Sequence, residues 1–360
     1  MSFAKRIAMG GLAGAGLLLV ALLVFSGAGT SGPQTTLAQV PDDEAGPAAQ
    51  EAPAPQVGNG DGTISAEAAA ALQPASAAEF RPAEVFQGKM DHAAAGTGTR
   101  NTGYGNIRLR GVPPGSTVVK GFLYWGMICK GTTCPKTQTV SFDEKKFTGT
   151  LIATAPQPCW TGSLFGAYRA DVTARIPPDI NGDYEVDGLA SALVTGKDPW
   201  LPIDAGLPMS EGATLLVVYS NGSLPPSVTY LHHGAVFLGG APVTISNALA
   251  PVLPGAILKS TRFGADGQVG FSTAASPAIS DEFTFIGPTG GPLTQIAGNG
   301  SAFNQNSDWN GEDATPLNQL WDTRTSKVDS TIPAGAASYD VTYVSGADCM
   351  DVIGHVLTAK

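Results

Sequence analysis

Residues 213–220 read ATLLVVYS, a compact run of Leu, Val and Tyr too short for a stable helix. Asn221-Gly222 closes it, a pair that tolerates positive φ, and Pro225-Pro226 follow, which cannot donate ladder hydrogen bonds. A second β-rich run, Ser227 to His232, begins at once. The stretch from Glu211 to Gly239 therefore places two strands near the middle of an all-β domain. They are expected to pair antiparallel across a short loop, because a parallel pair needs a crossover of about a dozen residues or more.

The remainder of the chain from Phe80 onward carries the same signal. Candidate strands span residues 106–109, 117–125, 137–142, 149–153, 184–186, 236–238, 243–245, 256–261, 282–285, 338–344 and 355–358, punctuated by Gly and Pro. Helical periodicity is confined to a turn or two at 170–176 and 316–322, and no repeat of fixed period occurs. Many short strands without regular intervening helices predict an antiparallel β-sandwich or jelly roll and argue against a parallel α/β sheet.

Ahead of this domain, Lys5 and Arg6 precede an apolar run from Ile7 to Phe25, followed by the small residues Ser26 to Gly29. This is the pattern of a secretory signal, cleaved after about Ala28 or Ala38, or of a membrane anchor. Residues 1–28 are thus a signal peptide or anchor, and the bulk of the chain is expected outside the cytoplasm, secreted or attached to the cell surface. Residues 29–79 contain no aromatic residue, Lys or Arg and abound in Ala, Pro and Gly. Such a segment buries too little apolar surface to offset about 1–2 kcal/mol of backbone entropy per residue, which predicts a disordered acidic linker. Within it, GNGDGTIS (58–65) imitates a calcium loop but places Val57 and Ala68 where carboxylates are needed, so it reads as a polar turn before a short helix at 66–72. The folded domain is assigned to 80–360.

Charge narrows the partners. The formal charge is −10 overall. Setting aside +2 at the N-terminus and seven linker acids leaves −5 on the domain, spread without basic blocks. Nucleic acid is excluded as a partner on that ground, since phosphate binding draws on clustered Lys and Arg. The expected partner is an envelope or extracellular component, protein or polysaccharide. A membrane is contacted only through an N-terminal anchor.

The succession VKGFLYWG (119–126), YRADVT (168–173), NGDYEVDGL (181–189), EGATLLVVYSN (211–221) and LHHGAVFL (231–238) resembles a family of uncharacterised β-sandwich domains on secreted and surface-attached bacterial and archaeal proteins. SDWNGEDATPLNQLWDTRTSKVD and SYDVTYVSGADC are similar to its closing part, so the likeness spans about Asn101 to Thr358. The resemblance implies a noncatalytic module with a structural or adhesive role, and it carries over no catalytic residues.

Motifs for chemistry are sparse. The sequence lacks G-x-S-x-G, H-E-x-x-H and Walker patterns. His232 and His233 are adjacent on a strand and are expected to point to opposite faces, so they cannot readily share a metal. The acidic pairs Asp281-Glu282 and Glu312-Asp313 define no acid-and-base constellation, which leaves a glycan-active enzyme as a second alternative. Trp160, Trp200, Trp309 and Trp321 fall in or beside expected loops, whereas Tyr124-Trp125 end a strand. A glycan-binding module using loop tryptophans, Trp309 foremost, is the first alternative.

Two kinds of covalent or ionic staple are also expected. Cys129, Cys134, Cys159 and Cys349 are an even set in an exported chain, which favours two disulfides from three connectivities. The short KGTT loop makes Cys129 with Cys134 the preferred pair and leaves Cys159 for Cys349. In SDWNGED (307–313), Asp308, Asn310 and Glu312 alternate and Asp313 adds a carboxylate, an oxygen-rich set suited to calcium. The competing reading is a solvated turn that bonds its own backbone.

Overall fold

The computed structural model describes residues 63–64, 80–158, 163–196, 206–239, 241–265, 283–296, 321–345 and 349–360. The first strands are β1 (Thr63–Ile64), β2 (Arg81–Gly88), β3 (Met90–Gly98), β4 (Gly105–Leu109) and β5 (Thr117–Ile128). Next come β6 (Thr137–Phe142), β7 (Lys145–Gln157), β8 (Ser163–Asp171) and β9 (Gly182–Asp187), with a 3-10 turn at Thr173–Arg175 between the last two. The chain continues through β10 (Met209–Ser220), β11 (Ser227–Gly239), β12 (Val243–Ala248) and β13 (Leu258–Ala265). The last strands are β14 (Phe283–Pro288), β15 (Leu293–Gln295), β16 (Trp321–Lys327), β17 (Ser338–Val344) and β18 (Cys349–Ala359). The fold is all-β and antiparallel, as the sequence predicts.

Three sheets form. An eight-stranded sheet has the order β3-β10-β5-β8-β7-β6-β9-β4. A five-stranded sheet runs β16-β13-β18-β11-β2, and another runs β1-β15-β14-β17-β12. The eight-stranded sheet curls onto itself: Ile107 of β4 and Tyr184 of β9 share one core with Leu123 of β5 and Leu215 of β10, from the far side of the strand order. A second core joins this curled sheet (Phe122, Tyr124, Leu216) to the first five-stranded sheet (Leu231, Phe263, Val356). A third joins that sheet (Leu238, Val352, Leu357) to the last one (Ile245, Ile286, Val341). The β16-to-β2 sheet is therefore central, with an inner seam against the curled sheet and an outer seam against the outer sheet.

Period-two alternation explains how one strand serves two cores. In β5, Leu123, Trp125 and Met127 enter the core of the curled sheet, while Phe122, Tyr124 and Ile128 enter the inner seam. A strand buried on both faces reads as a continuous apolar run instead of an alternating one. That is why ATLLVVYS looked so strong in the sequence.

The same fact corrects the pairing expected there. β10 and β11 are not partners: β10 pairs with β3 and β5, whereas β11 pairs with β18 and β2. Residues 221–226 carry the chain from one layer to the next. Both strands present apolar faces on each side, so each is satisfied inside its own sheet, and the proline pair ends one ladder before the other begins. Two shorter expected strands, 227–232 and 236–238, are one strand, β11. Trp125 lies inside β5 and does not end it. Thr63 and Ile64, within the expected linker, pair with Thr294 and Leu293. The expected turns at 66–72 and most of 316–322 lie outside the described residues, and Trp321 and Asp322 belong to β16.

Close approach fixes two glycines. A Cβ on Gly149 would stand 2.0 Å from Trp125 Cη2, and one on Gly354 would stand 2.0 Å from Phe263 Cζ. Each lets the tip of an aromatic ring approach a neighbouring backbone closely.

Candidate functional site

Beside the β2 edge of the central sheet, a pocket of about 470 Å³ opens among Val228 and Tyr230 of β11, Val252, Leu253 and Ala256 after β12, and Ala359 of β18. Its lining is chiefly apolar. Tyr230 is anchored there by accepting the Ala250 N–H at 2.7 Å. Leu253 stands at the pocket 72% exposed, although it is a large apolar side chain. Apolar pockets of this size suit a small molecule or an apolar side chain.

Lys360 also lines the pocket and connects it to a buried polar cluster. Asp91 of β3 receives Lys259 Nζ and Lys360 Nζ, each at 2.5 Å, and the Tyr219 hydroxyl at 3.4 Å. Burial alone would raise the Asp91 carboxyl, but the two ammonium groups hold it below the ordinary carboxylate range. Lys259 is lowered as well, because burial of its ammonium outweighs attraction to the carboxylate. The ion pair stands nonetheless: both lysines donate to an ionised Asp91. Next to it, His92 joins the layers through Thr358 Oγ1 on Nδ1 and Thr261 Oγ1 on Nε2, both at 2.7 Å.

All four histidines of the chain are buried. His232 and His233 point to opposite faces, as alternation requires. His233 meets the Tyr124 hydroxyl at 3.2 Å in the inner seam. His232 lies on the outer-seam face, directly across from His355 of β18. Burial lowers each of these two adjacent histidines to about 4. His92 and His355 are fully buried and are pushed well below the ordinary imidazole value by the same cause. A buried Arg100–Glu211 pair, 2.6 Å between Nη2 and Oε2, ties the β3–β4 turn to the start of β10. Sequence patterning gave no sign of this pair or of the Asp91 cluster, because their members are far apart in the chain.

The sequence-predicted site residues are distributed otherwise. Cys129 and Cys134 form a disulfide, with Cα atoms 5.4 Å apart. Cys349 is disulfide-bonded too, whereas Cys159 lies outside the described residues. Trp309 and the calcium candidates Asp308, Asn310, Glu312 and Asp313 also lie outside them, as do Trp160 and Trp200. Among the described residues no group of three His, Cys, Asp or Glu side chains could hold a metal ion. Trp321 departs from its expected loop position: it is fully buried in β16 and donates its indole N–H to Thr214 Oγ1 at 2.9 Å. It therefore cannot contribute to an exposed sugar-stacking platform. No helix among the described residues is long and apolar enough to cross a membrane. The chain matches no protein-family model, and no curated protein is similar to it.

Proposed function

We propose that this chain is an exported, noncatalytic module with a structural or adhesive role in the envelope or outside the cell. The observation that carries the reading is the Cys129–Cys134 disulfide, accompanied by a disulfide-bonded Cys349. Disulfides persist in oxidising compartments and are rare where thiols are kept reduced. The basic, then apolar, N-terminus and the acidic linker support the same reading, as does the likeness to domains of secreted and surface-attached proteins. The open pocket, with Leu253 exposed beside it, supports contact with another molecule. A calcium ion held by Asp308, Asn310, Glu312 and Asp313 belongs to this proposal. It predicts a higher unfolding midpoint in millimolar calcium than in chelator, and loss of that difference in Asp308→Ala.

Cell fractionation with intact-mass analysis of non-reduced protein tests the main reading. The expected result is protein outside the cytoplasm without free thiols. Cytoplasmic protein bearing four free thiols overturns it.

A further inference from the structure

The two oxygens of the Asp91 carboxyl are held by different sets of groups. Oδ1 accepts the His92 backbone N–H at 2.7 Å and the Lys259 ammonium at 2.5 Å. Oδ2 accepts the Lys360 ammonium at 2.5 Å and the Tyr219 hydroxyl at 3.4 Å. Lys259 Nζ has a second acceptor, the His92 carbonyl, at 2.5 Å. Asp91 is 4% exposed and the Lys259 side chain 20%, so a carboxyl and a primary amine are in contact where little water reaches them.

We propose that Lys259 and Asp91 condense to an amide, a covalent cross-link between β13 of the central sheet and β3 of the curled sheet. A proton first passes from Lys259 Nζ to Oδ1, which leaves a neutral amine beside a neutral acid. The amine lone pair then attacks Cγ, and the carbonyl electron pair moves onto Oδ2. Collapse of that adduct breaks the Cγ–Oδ1 bond. Oδ1 leaves as water, carrying the first proton and a second one from Nζ. An ammonium and a carboxylate thus become an amide and water, with nothing oxidised or reduced and no co-reactant needed.

The surroundings favour each part of this step. Burial lowers the affinity of Lys259 for its proton, so the amine form is reached at less cost than in water. Contact within one folded chain replaces a bimolecular encounter. The Lys360 ammonium and the Tyr219 phenol already stand on the oxygen where negative charge develops. Both polar groups of the product keep partners: the remaining N–H on Nζ has the His92 carbonyl, and Oδ2, now an amide oxygen, has Lys360 and Tyr219. Condensation also removes two buried charges. The His92 ring takes no part, since both its nitrogens are held by threonine hydroxyls. Until the amide closes, Asp91 titrates as a carboxylate and the cluster acts as an ion pair. Lys120 and Asp171 supply an internal comparison. They lie 2.7 Å apart but are 37% and 48% exposed, so water solvates both charges and they should remain unlinked.

Mass spectrometry of the denatured full protein, after prolonged incubation at neutral pH, tests the cross-link. The expected mass is one water below that of the chain with its disulfides. Tryptic digestion should yield Met90–Arg100 joined to a peptide in which Lys259 is uncleaved. Lys259→Arg keeps the positive charge but removes the amine, and its protein should show no water loss. The wild-type peptide map decides the matter even if that variant does not fold. A wild-type mass without water loss overturns the proposal. So does a water loss confined to Met90–Arg100 alone, as a cyclised aspartate would give, or a link from Asp91 to Lys360 instead of Lys259.

Discussion

Gly354 illustrates what a single residue decides. It shares β18 with Val352 and Val356, and nothing in the sequence marks it as the one position where a methyl group cannot enter. The constraint comes from the Phe263 ring across the ladder. Gly354→Ala is expected to cost about 1–3 kcal/mol by overpacking, measured as a lower denaturant midpoint with unchanged slope. The histidine pair was, by contrast, legible: adjacent strand residues must diverge, and His232 and His233 do. Their burial was not, because it depends on which layers cover β11. The pH consequence follows from direction. An imidazole that titrates at about 4 when folded and at 6.5 when unfolded leaves the unfolded chain holding more protons between those values. Stability from these groups is therefore full above pH 6.5 and declines as pH falls toward 4. Unfolding free energies measured at pH 7, 5.5 and 4.5 should decrease in that order, and a flat profile would contradict the burial.

Strands were readable one by one, but their partners were not. The ranges expected at 137–142 and 338–344 coincide with β6 and β17, since β-branched and aromatic residues between turns leave little else for those segments to form. β2 and β3 escaped notice, for RPAEVFQG and MDHAAAGTG are poor in such residues and become strands only because β11 and β10 offer ladders to join. Pairing is a long-range property, which is why β10 and β11 looked like a hairpin. The Asp91 cluster has the same character, linking β3 to β13 and to the end of the chain. Asp91→Asn leaves two largely buried ammonium groups without their carboxylate. The expected loss is about 3 kcal/mol, seen in equilibrium unfolding at pH 7. The loss should shrink below the carboxylate range, where the wild-type Asp91 is itself protonated and its contribution is gone. A penalty independent of pH would instead assign the effect to packing.

At the scale of the whole molecule, composition and turn density point to the class, all-β and antiparallel, without revealing that the described strands stack as three sheets. The arrangement buries the central sheet on both faces, sets the pocket at its edge, and encloses His232 and His355 beneath the outer sheet. Of the candidate site, the Cys129–Cys134 pair was legible because it is local, while the pocket was not, being assembled from β11, the loop after β12 and β18. Amide hydrogen exchange at neutral pH, followed peptide by peptide, tests the three-layer account most directly. Amides of β11, β13 and β18 in the central sheet should be among the slowest to exchange, with the edge strands β2 and β12 faster, and under mild denaturant the protection of β10 should track that of β5 while the protection of β11 tracks that of β18. Loss of protection by β10 and β11 together, as one hairpin separate from β5 and β18, would contradict it.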